Sequence, residues 1–494
     1  MKELERREFL KYAGIGGALL FCGVARLNMT ESAFAENVKE IKLTASVNKV
    51  DLGAGKTFKA WTYNGQAPGP GIRVKEGETL RVIFKNNLPE ATTIHWHGLP
   101  VPNRMDGVPY VTQKPVEPGG TFTYEFEAFP AGTYVYHSHA SYQLDRGLYG
   151  PLIVEPKKEE MGYDREYILL LEDWAAIDGG GPEASRMGKI QPGMGMMGMG
   201  MMGGGMMGRG MMGMMRGSPR PGEPLREPLY DAYALNGKVF SASEPLKVRK
   251  GDKVRLRIIN PSSSTIYTLR ISGHSLKITH ADARPVMPAE VDALRIGQGE
   301  RYDVELHANS PGRWLIYNLR DGSPVGGWFL GTLLYEGISS KSYDDDTLSR
   351  FRISDYGLLE GKDERHVRPV LGGVGRIFRM NLSGGMMGSP YWTINGRMYP
   401  NSEDFSVGTG EVVRFEYFNM SMMPHPMHLH GHFFEVVGTG RVTGVRAKKD
   451  TIIIPPHMGR GAIEFIADNP GVWMHHCHNL YHMEAGMANL VTVR

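Results

Sequence analysis

The sequence predicts an all-β fold made of three consecutive sandwich domains, and three observations carry that expectation. A block with one order of turn, corner and strand occurs three times. A second block closes each copy. Between them run short stretches of alternating apolar and polar residues, separated by Gly and Pro, with few long helical periods. The chain has 494 residues, too many for one core at about 100 to 200 residues per domain. Hydrophobic residues are 41% and charged residues 22%, which places it among globular proteins rather than disordered ones. Lys and Arg number 56 against 53 Asp and Glu, so the formal charge of +3 gives no electrostatic reason to expect a nucleic acid partner.

The first element is an address. Glu5-Arg6-Arg7-Glu8-Phe9-Leu10-Lys11 precedes an apolar, Gly-rich run from Tyr12 to Ala25 and then Ala33-Phe34-Ala35. The run is too short to cross about 30 Å of hydrocarbon as a helix. The paired arginines resemble a twin-arginine export signal, with Glu5 where that pattern usually has Ser or Thr. Residues 1–35 are therefore expected to be a leader, the mature protein periplasmic, and no later segment a membrane span. Removal of the leader takes Cys22 with it and leaves Cys477 as the lone thiol, so no intramolecular disulfide can form.

The first copy opens with Asn64-Gly65, a hairpin signal, then a corner at Gly77-Glu78 and a strand from Thr79 to Asn86. The second has Asn236-Gly237, Gly251-Asp252 and Lys253 to Asn260; the third has Asn395-Gly396, Gly410-Glu411 and Val412 to Asn419. The closing blocks are Gly132-Thr133-Tyr134, Gly312-Arg313-Trp314 and Gly471-Val472-Trp473, each starting an aromatic-rich strand. Domains are expected at 36–160, 161–345 and 346–494. The middle one carries an insertion at 187–217, where every residue from Gly193 to Met215 is Met or Gly except Arg209. Such a composition cannot build a packed core.

The repeat is also chemical evidence. Counted from Asn86, the first copy reaches His95-Trp96-His97-Gly98; counted equally from Asn419, the third reaches His428-Leu429-His430-Gly431. From the closing glycines the same copies reach His137-Ser138-His139 and His476-Cys477-His478. The second copy has Leu269-Arg270-Ile271 and Tyr317-Asn318-Leu319 at these places. Residues i and i+2 of a strand share a face, so each His-x-His sets two imidazoles side by side, and four pairs offer eight nitrogen ligands. One pair alone is as readily a solvated strand face; four at equivalent positions indicate metal. Cys477 points to the opposite face from its neighbours. His425, His482 and Met487 are its candidate partners there, and two imidazoles, a thiolate and a weak thioether form a blue copper ligand set. Met487 as core filler is the competing reading.

These motifs, across nearly the whole mature chain, resemble those of the multicopper oxidases, the family of laccases and cuprous oxidases. The resemblance implies cupredoxin-like Greek-key domains and four copper ions. It implies that His425, Cys477 and His482 hold a type 1 copper with Met487 axial, and that His95 and His428 hold a type 2 copper. It places His97, His137, His139, His430, His476 and His478 on a type 3 pair. The implied reaction couples one-electron oxidation of phenols, aromatic amines and Cu(I) to four-electron reduction of dioxygen to water. His476, Cys477 and His478 would form the electron path. Asp106 occupies the place of an acid near the cluster, as a proton relay or electrostatic tuner; a turn residue in Met105-Asp106-Gly107 is the competing reading.

The donor is less determined. Cuprous oxidases of the family carry a Met-rich insertion, but in the third domain, and an acid and a Met four and two residues before the first type 1 His. Here those two positions are Ser421 and Met423. The Met/Gly segment reads as a substrate-recruiting lid, with a flexible spacer or an oxidant-scavenging surface together as the equal competing reading. A periplasmic copper-sequestering protein with incidental turnover is the alternative function. Oligomeric state does not follow from the sequence, with a monomer favoured.

Overall fold

Each of the three Asn-Gly turns folds in the same way and is tied to its own module by the same bonds. The structure, a computed structural model, describes residues 37–494 except 160, 176–226, 231, 321–322, 340–341, 345–349, 363–372, 387–388, 441 and 444–446. The leader, Cys22, His366 and the Met/Gly insertion lie outside the described residues. Asn64, Asn236 and Asn395 have φ of 50, 52 and 51°, and the glycines after them 79, 75 and 74°. Two successive positive φ values are what a type I′ turn requires, and Asn-Gly meets that need at low cost. Each Asn Oδ1 then accepts a backbone N–H from the module's opening strand, from Thr44, Leu170 or Asn381, at 2.8 Å in all three cases.

The chain is all-β, as expected, and forms six sheets in three consecutive pairs. In the first pair, strands Val38–Asp51, Thr57–Tyr63, Thr79–Asn86 and Thr121–Glu127 oppose Ile72–Lys75, His95–His97, Gly132–His137 and Tyr149–Glu155. A seven-stranded and a five-stranded sheet follow between Arg165 and Tyr335, and another such pair lies between Arg376 and Val493. The strand after each corner alternates inward and outward: in Thr79–Asn86 the residues Leu80, Val82 and Phe84 are fully buried. Each closing strand is fixed by an aromatic side chain that donates to a carbonyl four residues upstream. Tyr134 bonds Pro130 O at 2.7 Å, Trp314 bonds Ser310 O at 2.7 Å and Trp473 bonds Asn469 O at 2.8 Å. The polar end of a buried aromatic thus satisfies a turn that would otherwise be loose.

Burial of a large aliphatic side chain contributes about 1.5 to 3 kcal/mol, so the placement of the cores decides which surfaces stay together. One apolar cluster fills the first pair of sheets and another runs continuously through the second and third. A further cluster joins them: Leu144, Leu170, Trp174, Ala234, Met474, Leu480 and Tyr481 come from all three sheet pairs. That junction lies beside the histidine motifs. Among the described residues, no helix is long and apolar enough to cross a membrane.

Candidate metal centre

Strand pairing brings the histidine motifs together before any long-range packing is considered. His95–His97 is hydrogen-bonded to the strand Gly132–His137 with His95 opposite His137. His425–Leu429 pairs with Gly471–Cys477, placing His428 opposite His476 and Met427 opposite Cys477. The two-residue period then puts each His-x-His on one face and Cys477 on the other.

Across the junction of the first and third modules the eight rings converge, all buried. His430 Nε2 and His139 Nε2 lie 3.0 and 3.4 Å from His476 Nε2. His97 Nδ1 lies 3.2 Å from His478 Nε2. His95 and His430 stack at a centroid separation of 3.9 Å, and His97 and His428 at 3.8 Å. The outer nitrogens are engaged by the protein: His95 Nδ1 is 2.8 Å from Asp106 O, His137 Nδ1 is 2.9 Å from Ser138 O, His428 Nδ1 is 2.8 Å from Asp450 O and His476 Nδ1 is 3.0 Å from Cys477 O. A neutral imidazole donates through one nitrogen, so these bonds leave the other as an inward-facing acceptor.

The inward nitrogens are where the site fits a metal. His95 Nε2, His137 Nε2 and His428 Nε2 are buried with no hydrogen-bond partner, an arrangement that costs free energy unless something else coordinates them. Ligand nitrogens fall into sets within 4.8 Å of one another, among them His95, His428 and His430, and His139, His430 and His476. Burial, then neighbouring imidazoles, holds His97, His139, His428, His430 and His478 well below the usual histidine range. His137 and His476 are pushed down to about 3, burial being the main cause. Neutral, crowded nitrogen donors suit a soft or borderline cation.

A pH dependence follows for the metal-free protein. In the folded state His97, His137, His139, His428, His430, His476 and His478 stay neutral, whereas in the unfolded chain they take protons below about pH 6.5. The unfolded state therefore binds more protons as pH falls, and stability present above about pH 6.5 is progressively lost toward the folded values near 3. Each such imidazole costs about 2 kcal/mol at pH 5. The thermal midpoint of copper-free protein should fall steeply between pH 7 and pH 5; a flat profile would contradict the packing of these rings.

On the other face, Cys477 Sγ lies 3.6 Å from both His425 Nδ1 and His482 Nδ1, and the two nitrogens are 3.0 Å apart. All are buried. Burial pushes the Cys477 thiol up and His425 down to about 3, so without a cation the site holds no charge; a bound metal would reverse that for the thiol. His482 lies in a short helix, Leu480–Glu484, whose N-cap Asn479 accepts from the backbone N–H groups of Tyr481 and His482. Met487 is fully buried, its carbonyl accepting from Cys477 N at 3.0 Å and its N–H donating to His482 O at 2.9 Å. The Trp392 ring covers His482 at 3.8 Å, and Ser421 Oγ lies 2.7 Å from His425 Nε2, the nitrogen facing away from the thiol.

Asp106 is fully buried between the two modules. Its Oδ2 accepts from His430 Nδ1 at 2.9 Å and its carbonyl accepts from His95 Nδ1, while Oδ1 lies 3.2 Å from the same His95 Nδ1 without completing a hydrogen bond. Its turn geometry is also real: Gly107 has a φ of 84°, so the turn delivers the carboxylate. Leu144, Leu480 and Met483 line a small cavity together with His137, His139, His476 and His478. Glu484 is held up to about 7 by burial. Of the histidines outside the motifs, His475 lies between Tyr417 OH and Asn489 Oδ1, His432 accepts from Asn469 N, and His274 lies 2.7 Å from Tyr335 OH, all structural positions. His280 is half-buried, and His307 and His457 are exposed. Sequence reasoning missed Asp450, whose Oδ1 is 3.1 Å from His97 Nε2, and its partner Arg301; neither stands in a motif.

Family models described as multicopper oxidase match residues 44–159, 166–333 and 377–494. The chain is 34% identical to a multicopper oxidase of Mycobacterium tuberculosis, covering 99% of this chain and 96% of that protein. It is 28% identical to copper resistance protein A of Escherichia coli, covering 99% of each. Among solved structures, a multi-copper oxidase from Pseudomonas thermotolerans is similar with a TM-score of 0.69 at 27% identity, over 92% of this chain and 99% of that one. A laccase from Botrytis aclada is similar with a TM-score of 0.71 at 26% identity, over 92% and 87%.

Proposed function

Because the chain belongs to the multicopper oxidase family, oxidoreductases with dioxygen as acceptor, we propose that it is a periplasmic oxidase of small reducing substrates, both phenols or aromatic amines and Cu(I). The observation that carries this reading is the convergence of eight buried imidazoles from two modules, with one buried thiol facing away from them on the same strand. His425, Cys477 and His482, with Met487, would hold a type 1 copper; His95 and His428 a type 2 copper; the remaining six histidines a type 3 pair. The four coppers would supply one-electron oxidation at the first site and four-electron reduction of dioxygen at the others.

The chain's own part is to connect and insulate these sites. His476-Cys477-His478 runs as continuous backbone between them, the short covalent route an electron needs. Leu144, Leu480 and Met483 wall the cavity beside the type 3 histidines with apolar surface. Asp106 holds His430 and His95 by hydrogen bonds and would relay the protons that oxygen reduction needs. Division of the modules near residues 160 and 345, and export of the folded protein by the twin-arginine route, belong to the same proposal.

Support for Cu(I) as a donor comes from the surface above His425. Met420 and Met422 flank Ser421 and are 52% and 55% exposed; Met458 is 59% exposed on a neighbouring loop. That loop is tied on by the His457 N–H, which donates to Ser421 O at 3.0 Å. Exposed thioethers are soft ligands suited to Cu(I). Oxygen uptake by the copper-loaded protein with Cu(I) or a phenol tests the reading. Changing Met420, Met422 and Met458 together to Leu should raise the KM for Cu(I) about tenfold, a loss of about 1.4 kcal/mol in binding, and the KM for a phenol much less. A chain that loads copper but consumes no oxygen with either donor would instead be a copper-sequestering protein.

A further inference from the structure

The middle module has no histidine pair, yet it presses on the rings of the other two. Its turn Gly297–Arg301 joins strands Ala293–Ile296 and Arg301–His307. A Cβ at Gly299 would come 2.8 Å from both His478 Cδ2 and His97 Cε1, so bare backbone sits directly against both imidazoles. Two residues on, Arg301 is fully buried. Its Nη1 and Nη2 donate to Asp450 Oδ1 and Oδ2, both at 2.7 Å, in a two-pronged pair. Nη1 also donates to Gly299 O at 3.0 Å, and Nε to Thr133 O at 3.1 Å. One guanidinium therefore holds a backbone carbonyl of the first module, its own turn, and a carboxylate of the third.

Asp450 passes that grip to the histidines. Its Oδ1 lies 3.1 Å from His97 Nε2, and its carbonyl 2.8 Å from His428 Nδ1. A Cβ at Gly98 would run into the Arg301 guanidinium and lie 2.6 Å from Asp450 Oδ2, which explains a glycine directly after the first His pair. Lys449 Nζ adds bonds to Asp282 at 2.9 Å and Glu300 at 3.1 Å. Two buried basic side chains, Arg301 and Lys449, thus face three buried acidic ones, Asp450, Asp282 and Glu300. Burial disfavours the Arg301 charge, but Asp450 and Asp282 more than offset it and keep the guanidinium protonated.

We propose that Arg301 is a positioning residue for the trinuclear centre: it locks Asp450, and through it His97 and His428, so that the module without ligands fixes the geometry of the two that have them. With Nε2–H of His97 donated to a carboxylate that cannot turn, His97 Nδ1 is left as the donor atom facing His478, and its basicity rises. Lys in place of Arg301 would keep the charge and lose the fork. The proposal rests on the reading of His97 and His428 as metal ligands.

The test is copper content per chain in Arg301→Lys and Asp450→Asn after reconstitution, with the type 2 electron paramagnetic resonance signal and the near-ultraviolet type 3 band recorded beside the blue type 1 colour. The thermal midpoint of each copper-free variant is measured in parallel. Both variants should keep type 1 copper and colour while affinity for the other three ions falls about 10- to 100-fold. A purely structural role would lower the thermal midpoint without separating type 1 from the rest, and would overturn the proposal. So would four tightly bound ions with wild-type type 2 and type 3 signals in both variants. Should Arg301→Lys not fold, the nearly isosteric Asp450→Asn decides alone. A wild-type chain binding far fewer than four ions would overturn the ligand reading itself, whatever the variants do.

Discussion

Cys477→Ser is expected to remove the blue colour and to cut turnover with every donor by about 10³-fold or more, the scale seen when one member of an interdependent catalytic set is lost. The colour requires a thiolate, and Cys477 Sγ lies 3.6 Å from both His425 Nδ1 and His482 Nδ1. A serine hydroxyl is a harder, less polarisable donor and leaves two buried imidazoles without their soft partner. The substitution also breaks the route to the second site, because His476 and His478 are reached through residue 477. The chain should still fold. Cys477 sits in the core continuous with Met427, Met487 and Trp473, and an unpartnered hydroxyl there costs about 1 to 3 kcal/mol. The measurement is the absorption spectrum, copper content and oxygen uptake of the variant. Loss of colour with the type 2 and type 3 signals kept is the expected pattern; a blue, active serine variant would remove the basis for assigning the site.

Much of this site could be read in the sequence because it depends on local periods. A strand's two-residue alternation determines that His95 and His97 share a face and that Cys477 opposes its neighbours, and the threefold repeat locates those strands in equivalent places. The turns were legible for the same reason: Asn-Gly has few options, and all three copies took the same one. What escaped were contacts made across the fold by residues with no periodic mark. Arg301 and Asp450 are 149 positions apart, and Asp450 is 353 from His97. Nothing in Lys449-Asp450-Thr451 distinguishes a buried carboxylate from a turn. The helix around His482 is only five residues long, too short for its period to show, although Asn479 is a recognisable cap.

A second junction network shows the same limit from another direction. Asp145 accepts from Tyr481 OH at 2.6 Å and Tyr230 OH at 3.0 Å. Asp173 accepts from the backbone of Ser263, Ser264 and Thr265. Burial holds Asp173 up to about 7, and Glu227 likewise. These groups tie the Leu480–Glu484 helix to the middle module, and Leu480 N–H donates to Ser263 O at 2.9 Å. The position of His482 is thus supported from outside its own module, as that of His97 is. Local sequence supplies the ligands, and partners distant in sequence supply their orientation.

Asp106→Asn should slow reoxidation by dioxygen about 10²-fold, the lower range for loss of a positioned acid or base, while electrons still enter at the type 1 site. The carboxylate lies between rings of the first and third modules, with Oδ2 on His430 Nδ1 at 2.9 Å and the residue's own carbonyl on His95 Nδ1 at 2.8 Å. Asn can keep both of those acceptors, so the hydrogen bonds to the two imidazoles survive and copper content should stay near wild type. What changes is Oδ1, buried 3.2 Å from His95 Nδ1 without a hydrogen bond: it becomes an amide nitrogen that cannot accept and pass on a proton. Four protons must reach dioxygen for each four electrons, so a defect in delivery shows only in the oxygen half-reaction. Anaerobic stopped-flow reduction of the blue centre, followed by mixing with dioxygen, separates the two steps. A variant slowed in the first step instead would make Asp106 part of the electron route, and one slowed in neither would leave it the turn residue that Met105-Asp106-Gly107 also spells.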